Sequence, residues 1–268
     1  EYEYQKNKPQ NLVSEVVKIN NKLISEYDYL TNKFELNLEG TESLNKNLNG
    51  NNISFIKYIN NNINPEIDSE LFKIKKIIEK FINFVDNMLF FASLDGNFYQ
   101  GFKKGTENLH EIILSKGKLK DFEKFLKEAG IFYKLIEKKI GKDRRIYCKF
   151  KSGEVDFFEI ASKGTCSLTL FYSWLIGLDE VSFVFIDEFD AFYHVDLAKR
   201  VVEELLKLNI QAILTTHDTT IMTNDLLRPD CYFVLSEGKI KSLPDLTEKE
   251  LRQAHNLEKM YRAGAFNE

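Results

Sequence analysis

The feature that most constrains this chain is a short apolar run closed by two acids, Ser182-Phe-Val-Phe-Ile-Asp187-Glu188, followed by a second short run, Ala212-Ile-Leu-Thr-Thr-His217. Runs of aromatic and β-branched residues without alternation have the composition of strands buried on both faces, as in parallel sheets covered by helices. Between them, Val195 to Leu208 follows the helical period. Strand, helix, strand in that order predicts an α/β fold whose sheet is mainly parallel and flanked by helices. Both runs then end on one edge of the sheet, so Asp187, Glu188 and His217 emerge on the side where ligands bind in such folds.

The rest of the chain divides by period. Apolar residues at Leu12, Val16, Ile19, Leu23 and Tyr27 are spaced for an amphipathic helix over 11–30, and Glu1 to Gln5 alternates as a strand with no preceding element to pair with. The stretch Gly40 to Asn64 is rich in asparagine, which favours turns and loops, around a short ordered piece at 53–59. A long helix is expected over 66–86, then helices over 106–115 and 118–129, the last closed by Gly130. Strands are expected over 131–140, 145–150 and 155–160, a hairpin over 232–242, and a helical tail over 247–263 opened by the capping box Thr247-Glu-Lys-Glu250. These readings give two regions, a helical arm or insertion over 1–144 and an α/β part over 145–268.

With 268 residues, 43% of them hydrophobic, the chain has enough apolar surface for one large core or a core with a satellite. No apolar stretch approaches the roughly 20 residues that span a bilayer, and no basic-then-apolar leader opens the chain, so no membrane association is expected and a cytoplasmic setting is. Cys148, Cys166 and Cys231 are widely separated, without metal-ligand spacing. The net charge of −4 conceals +3 over 1–145 (24 basic, 21 acidic) and −7 over 146–268 (13 basic, 20 acidic). That basic excess is small; clustered it could face a nucleic acid, but a solvated helix surface is the better reading.

Two adjacent carboxylates at a strand end point to different sides and can divide labour. Asp187 is suited to hold a magnesium ion, and Glu188 to orient and deprotonate a water attacking a phosphoryl group. His217, at the end of the neighbouring run, is placed to reach the same phosphate. Ser162-Lys163-Gly164-Thr165 precedes the apolar stretch Leu168 to Leu178, which puts its backbone amides at a helix N-terminus, where an anion is favoured. Asp190 and His194 lie in the turn after the carboxylate pair. The phosphate-cradling pattern G-x-x-x-x-G-K-[ST] is absent from the sequence; its nearest imitation, Gly96 to Gly101, is followed by Phe102 where lysine is required.

These motifs together resemble the C-terminal half of ABC-type ATP-binding proteins of the SMC, RecF and OLD group, among them bacterial AAA-family ATPases of phage-defence and restriction-linked operons. Ala-Ser-Lys-Gly-Thr165 resembles the signature motif, Phe-Val-Phe-Ile-Asp-Glu188 the Walker B strand, Phe189 to His194 the D-loop and Thr-Thr-His217 the switch. The resemblance covers 145–266 and implies ATP and magnesium as cofactors, with Glu188, His217 and Asp187 catalytic and Asp187 on the metal. It implies that Ser162, Lys163, Gly164, Thr165, Asp190 and His194 contact nucleotide or a second head. It also implies a head-to-head dimer and an upstream half of the same protein bearing the P-loop, whose ATP-driven closure gates a partner, a nucleic acid or a nuclease effector.

Two other classes fit some of the residues. Asp187, Glu188, Asp190 and His217 are the residue types of a magnesium-dependent nuclease, although no basic residues flank them to neutralise a phosphodiester. A non-catalytic interaction module is the third, with the stripe Ile74, Ile78 and Phe81 as its binding face.

Overall fold

The computed structural model describes all residues except 43, 45–52, 93–97, 102–108, 178–180 and 268. It separates into two compact units, Glu1–Asp86 and Asn87–Glu268, dividing at the end of a helix rather than after residue 144, which lies within a strand.

The first unit is a four-stranded antiparallel meander, β1 (Tyr2–Lys8), β2 (Asn11–Ile19), β3 (Lys22–Asp28) and β4 (Lys33–Leu36), with two helices, α1 (Phe55–Asn62) and α2 (Glu70–Asp86). The helix expected over 11–30 is therefore a hairpin. Asn20 and Asn21, at φ 51° and 63°, form the two-residue turn, a backbone that asparagine tolerates and hairpins require. The apolar spacing across this turn imitates a helical period. Within β2 a register shift beside Val13 upsets the alternation further, so that Leu12, Glu15 and Val17 are all buried. β1 finds its partner in the strand that follows it. Much of the asparagine-rich stretch lies outside the described residues; its ordered piece is α1.

This core is built from Val17, Ile24, Tyr27, Phe55, Ile59 and Ile78, each worth about 1.5–3 kcal/mol when fully removed from water. At its centre is a buried carboxylate. Glu15, 1% exposed, accepts from Tyr2 Oη (2.6 Å), Ser54 Oγ (2.6 Å), the Phe55 amide (2.6 Å) and Tyr29 Oη. Its second oxygen serves a free N–H at the start of α1, and four donors offset the cost of burying the charge.

The second unit contains the strands expected from the paired apolar runs. β10 (Phe183–Asp187) pairs in parallel with β11 (Gln211–Leu214) on one side and with β5 (Met88–Ala92) on the other, and β5 pairs antiparallel with β6 (Phe98–Gly101). The order is β11-β10-β5-β6, so this sheet is mainly parallel, whereas the others are antiparallel. β6 covers the end of the P-loop imitation; Gly96 is outside the described residues. Helices α6 (Lys163–Leu175) and α7 (Val195–Leu206) pack on the sheet through Leu168, Phe171, Leu197, Val201 and Leu205 against Leu89, Phe91, Val184 and Ile186.

The remaining elements support that layer. Helices α3 (Leu109–Ser115) and α4 (Leu119–Glu128) precede a three-stranded antiparallel sheet of β7 (Leu135–Ile140), β8 (Asp143–Phe150) and β9 (Gly153–Asp156). Gly130, at φ 79°, stops α4 as expected, with Ile131 N–H closing onto Leu126 O at 2.8 Å. The strand expected over 155–160 ends early. Asp156 accepts the Phe158 amide at 2.9 Å and so caps the short helix α5 (Phe157–Ile160). β12 (Phe233–Ser236) and β13 (Lys239–Ser242) form the expected hairpin. The tail is helical only in α8 (Leu257–Arg262), capped by Asn256 rather than Thr247. The Asn224 amide donates to Arg252 O, Gln253 O and His255 O, holding those carbonyls out of any helix. Among the described residues no helix is long and apolar enough to cross a membrane.

Glu15→Ala removes the acceptor of Tyr2 Oη and Ser54 Oγ, while Tyr29 Oη keeps Ile53 O and the Phe55 amide keeps Tyr29 Oη. Urea denaturation is expected to show a loss of about 2 kcal/mol or more from the first unit. In the second unit, burial holds the His110 imidazole below its usual pKa, with Asp156 opposing and Arg145 reinforcing the shift, while Nδ1 accepts the Ile146 amide at 2.9 Å. The neutral ring is the folded form, so its contribution is complete above the unfolded value of about 6.5 and is lost as pH falls through the lower folded value. His110→Asn, which keeps an acceptor for Ile146, is expected to flatten the decline in stability below that pH.

Candidate functional site

β10 delivers its carboxylates to the edge of the sheet because hydrogen bonds fix it on both sides. After Ile186 the pairing with β11 continues through Thr215 N–H to Ile186 O (3.0 Å) and Phe189 N–H to Thr215 O (3.1 Å). Phe189, 2% exposed, drives the turn back into the core and leaves Asp187 and Glu188 at the rim. Glu188 takes a left-handed backbone, φ 49°, which costs a non-glycine residue about 1–2 kcal/mol. The left-handed turn is locked by a side chain: the Glu188 amide donates to Thr215 Oγ1 at 2.8 Å.

The same Thr215 hydroxyl donates to Asp187 Oδ1 at 2.5 Å. One step along, Thr216 Oγ1 donates to Asp190 Oδ2 at 2.5 Å and accepts the Asp218 amide at 2.8 Å. His217 then reaches back so that Nε2 lies 2.8 Å from Glu188 Oε1. The histidine side chain is 90% exposed and Glu188 only 19%, so the pair joins a sheltered carboxylate to an imidazole in solvent. Asp187, Glu188, Asp190 and His217 are thus gathered at the ends of two adjacent parallel strands. Thr215 and Thr216, which the sequence showed only as neighbours of His217, are the residues that hold the carboxylates in place.

The Ser162 segment meets this rim from α6. Ser162 caps the helix, its Oγ accepting the Thr165 amide at 3.1 Å and lying 2.9 Å from Thr165 Oγ1. A Cβ on Gly164 would stand 2.7 Å from Phe192 O, so only glycine lets the start of α6 approach the turn that follows the carboxylates. Farther along α6, Ser167 Oγ lies 3.2 Å from Tyr193 Oη, whose buried hydroxyl is pushed up to about 12. Thr165 is buried, while Ser162 and Lys163 are exposed. His194 does not join the cluster: it is the N-cap residue of α7 through its backbone, and its exposed side chain makes no capping bond.

Chemically, the rim offers hard oxygen donors, a carboxylate paired with an imidazole, and a capped helix N-terminus beside them. Among the described residues no group of three or more His, Cys, Asp or Glu side chains converges as a metal-binding set. A single carboxylate such as Asp187 still fits magnesium, which is commonly held by one or two carboxylates together with substrate phosphates.

Gly164→Ala forces Cβ into Phe192 O, and thermal unfolding is expected to show a loss of about 1–3 kcal/mol with the approach of α6 to the 189–193 turn disturbed.

Comparison with curated proteins finds no match. Comparison with protein families does: residues 30–223 match the family described as "AAA domain, putative AbiEii toxin, Type IV TA system". The matched span covers well over half of the chain and includes α6, the carboxylate pair and His217, but not the closing hairpin or α8. A mixed α/β unit with acids and a histidine at the rim of a largely parallel sheet accords with it, and the chain belongs to this AAA-domain family.

Proposed function

We propose that this chain supplies the hydrolytic rim of an ATPase, with Glu188 as the base that orients and deprotonates the attacking water. The observation that carries the reading is the 2.8 Å contact of His217 Nε2 with Glu188 Oε1 at the ends of adjacent parallel strands. An imidazole at that distance fixes the carboxylate's direction, and in this reading the exposed His217 ring is the group that would reach a terminal phosphate. Asp187, oriented by Thr215, is the residue that would hold magnesium; when bound, the ion would neutralise charge on the phosphate oxygens. Ser162 and Gly164, at the N-terminus of α6, are the donors proposed for a nucleotide carried by a second copy, with Asp190 and His194 near that contact.

The sheet itself supports a further segment. Among the described residues β11 pairs only with β10, and Gln211, Ala212 and Ile213 are exposed. On the sheet face away from α6 and α7, Phe90 stacks on Phe185 at 5.6 Å and remains 38% exposed, and Ile213 is 45% exposed. An open edge and a partly bare apolar face are what a sheet shows when one of its layers is supplied from elsewhere. A P-loop-bearing half of the same protein is the occupant we infer, with two such heads closing on ATP. The magnesium-nuclease reading loses ground because the four candidate ligands do not converge as a metal set.

In a protein that includes the P-loop half, Glu188→Gln is expected to lower ATP turnover about 10²–10⁴-fold while ATP binding is retained. Turnover at the unsubstituted rate would remove the proposed base.

A further inference from the structure

We propose a second functional surface, distant in sequence from the carboxylate rim: the β7–β8 hairpin with the turn into β9 binds single-stranded nucleic acid. Residues 131–153 hold eight basic and two acidic residues, a net +6 in a chain of net −4, so everything else sums to −10. Such a concentration of charge on a few strands, against an acidic remainder, localises a polyanion to those strands.

The ion pairs show which charges are spent. Lys134 pairs with Glu123 at 2.8 Å, Lys138 with Glu154 at 2.8 Å, Arg144 with Glu137 at 2.6 Å, and Arg145 with Asp156 at 3.6 Å. Lys139, Lys142, Lys149 and Lys151 are exposed and make no ion pair among the described residues. Lys142 lies in the two-residue turn after Gly141, which the φ of 63° at that glycine permits, and Lys151 lies in the turn at the opposite end of β8. The eight residues of β8 span about 27 Å, so an exposed lysine in no ion pair among the described residues, Lys142 at one end and Lys151 at the other, marks each end of a ladder long enough for several nucleotides. Lys149 faces Glu154 across β8 and β9.

Aromatic and apolar side chains accompany these lysines. Phe132 is 74% exposed and Phe150 43%, and the bond from Lys149 N–H to Lys134 O (2.8 Å) brings both to the end that carries Lys149 and Lys151. Lys138 Nζ lies 4.8 Å from the Tyr147 ring centroid. Exposed rings beside free cations are the combination that stacks unpaired bases while neutralising their backbone, which a duplex with its bases buried would not use. The surface is independent of the ATPase reading and would stand if that reading failed.

The test is fluorescence anisotropy of the whole chain with labelled single-stranded DNA and RNA oligonucleotides and the matching duplexes, over a salt series. Binding of single strands is expected with log K falling against log salt at a slope of about −3, as four lysine–phosphate contacts require. The triple variant K142E/K149E/K151E is expected to lose at least about tenfold in affinity and most of the slope, and Phe150→Ala to weaken single-strand binding with the slope unchanged. Circular dichroism reports whether each variant folds; should the triple variant unfold, the slope of the unsubstituted chain and the Phe132→Ala and Phe150→Ala affinities decide. No binding at low salt, equal binding of duplex and single strand with no effect of the phenylalanines, or displacement of the oligonucleotide by an equally charged acidic peptide at equal concentration would each overturn the proposal.

Discussion

The candidate site depends on β10 being paired on both sides. A strand held in parallel by β5 and by β11 cannot slide or peel, so the residue at which it ends is fixed, and Asp187 and Glu188 leave the sheet at a defined height. Phe189 then anchors the turn in the core. The apolar layer beneath, Val184 and Ile186 against Leu168, Phe171 and Val201, keeps the strand from rotating. A charged rim on a packed parallel sheet is rigid because the burial that stabilises the sheet lies one residue away from the groups that meet solvent.

Thr215 converts that rigidity into geometry. Its hydroxyl donates to the Asp187 carboxylate and accepts the Glu188 amide, so one side chain sets the direction of one acid and the unusual backbone of the next. Left-handed backbone at a non-glycine residue is unfavourable alone and persists where neighbours over-determine it. Here the neighbours are the Thr215 hydroxyl, the continued pairing of Phe189 and the buried ring that follows. Gly164 plays the complementary part on α6: lacking a Cβ, it lets the helix start lie against Phe192 O.

The first unit solves a different problem with the same physics. A carboxylate inside an apolar core is costly unless its lone pairs are filled, and Glu15 is filled by two tyrosines, a serine and the free N–H of Phe55. That arrangement ties β1, β2, the turn after β3 and the start of α1 to one point, giving the small sheet a specificity that hydrophobic burial alone does not provide.

Much of the second unit was legible in the sequence: the two apolar runs, the helix between them, the serine cap of α6, the glycine stop of α4 and the closing hairpin all obey local rules. The acids and the histidine could be assigned to one rim because parallel strands end on one edge. Other features were hidden. β5 passed unnoticed because Met88–Ala92 directly follows a long helix with no turn residue to mark the change, and the 11–30 hairpin was disguised by a two-asparagine turn and a register shift that reproduce helical spacing. The tail lost its expected helix to the Asn224 amide, a contact 28 to 31 residues away in sequence. Local pattern therefore determined the order of β10, α7 and β11, the cap of α6 and the stop of α4, since those depend on neighbours three or four positions away. Tertiary structure alone decided that Thr215 orients Asp187, that His217 meets Glu188 and that Gly164 meets Phe192, because these are contacts across 28 or 29 residues, made only when the sheet has formed.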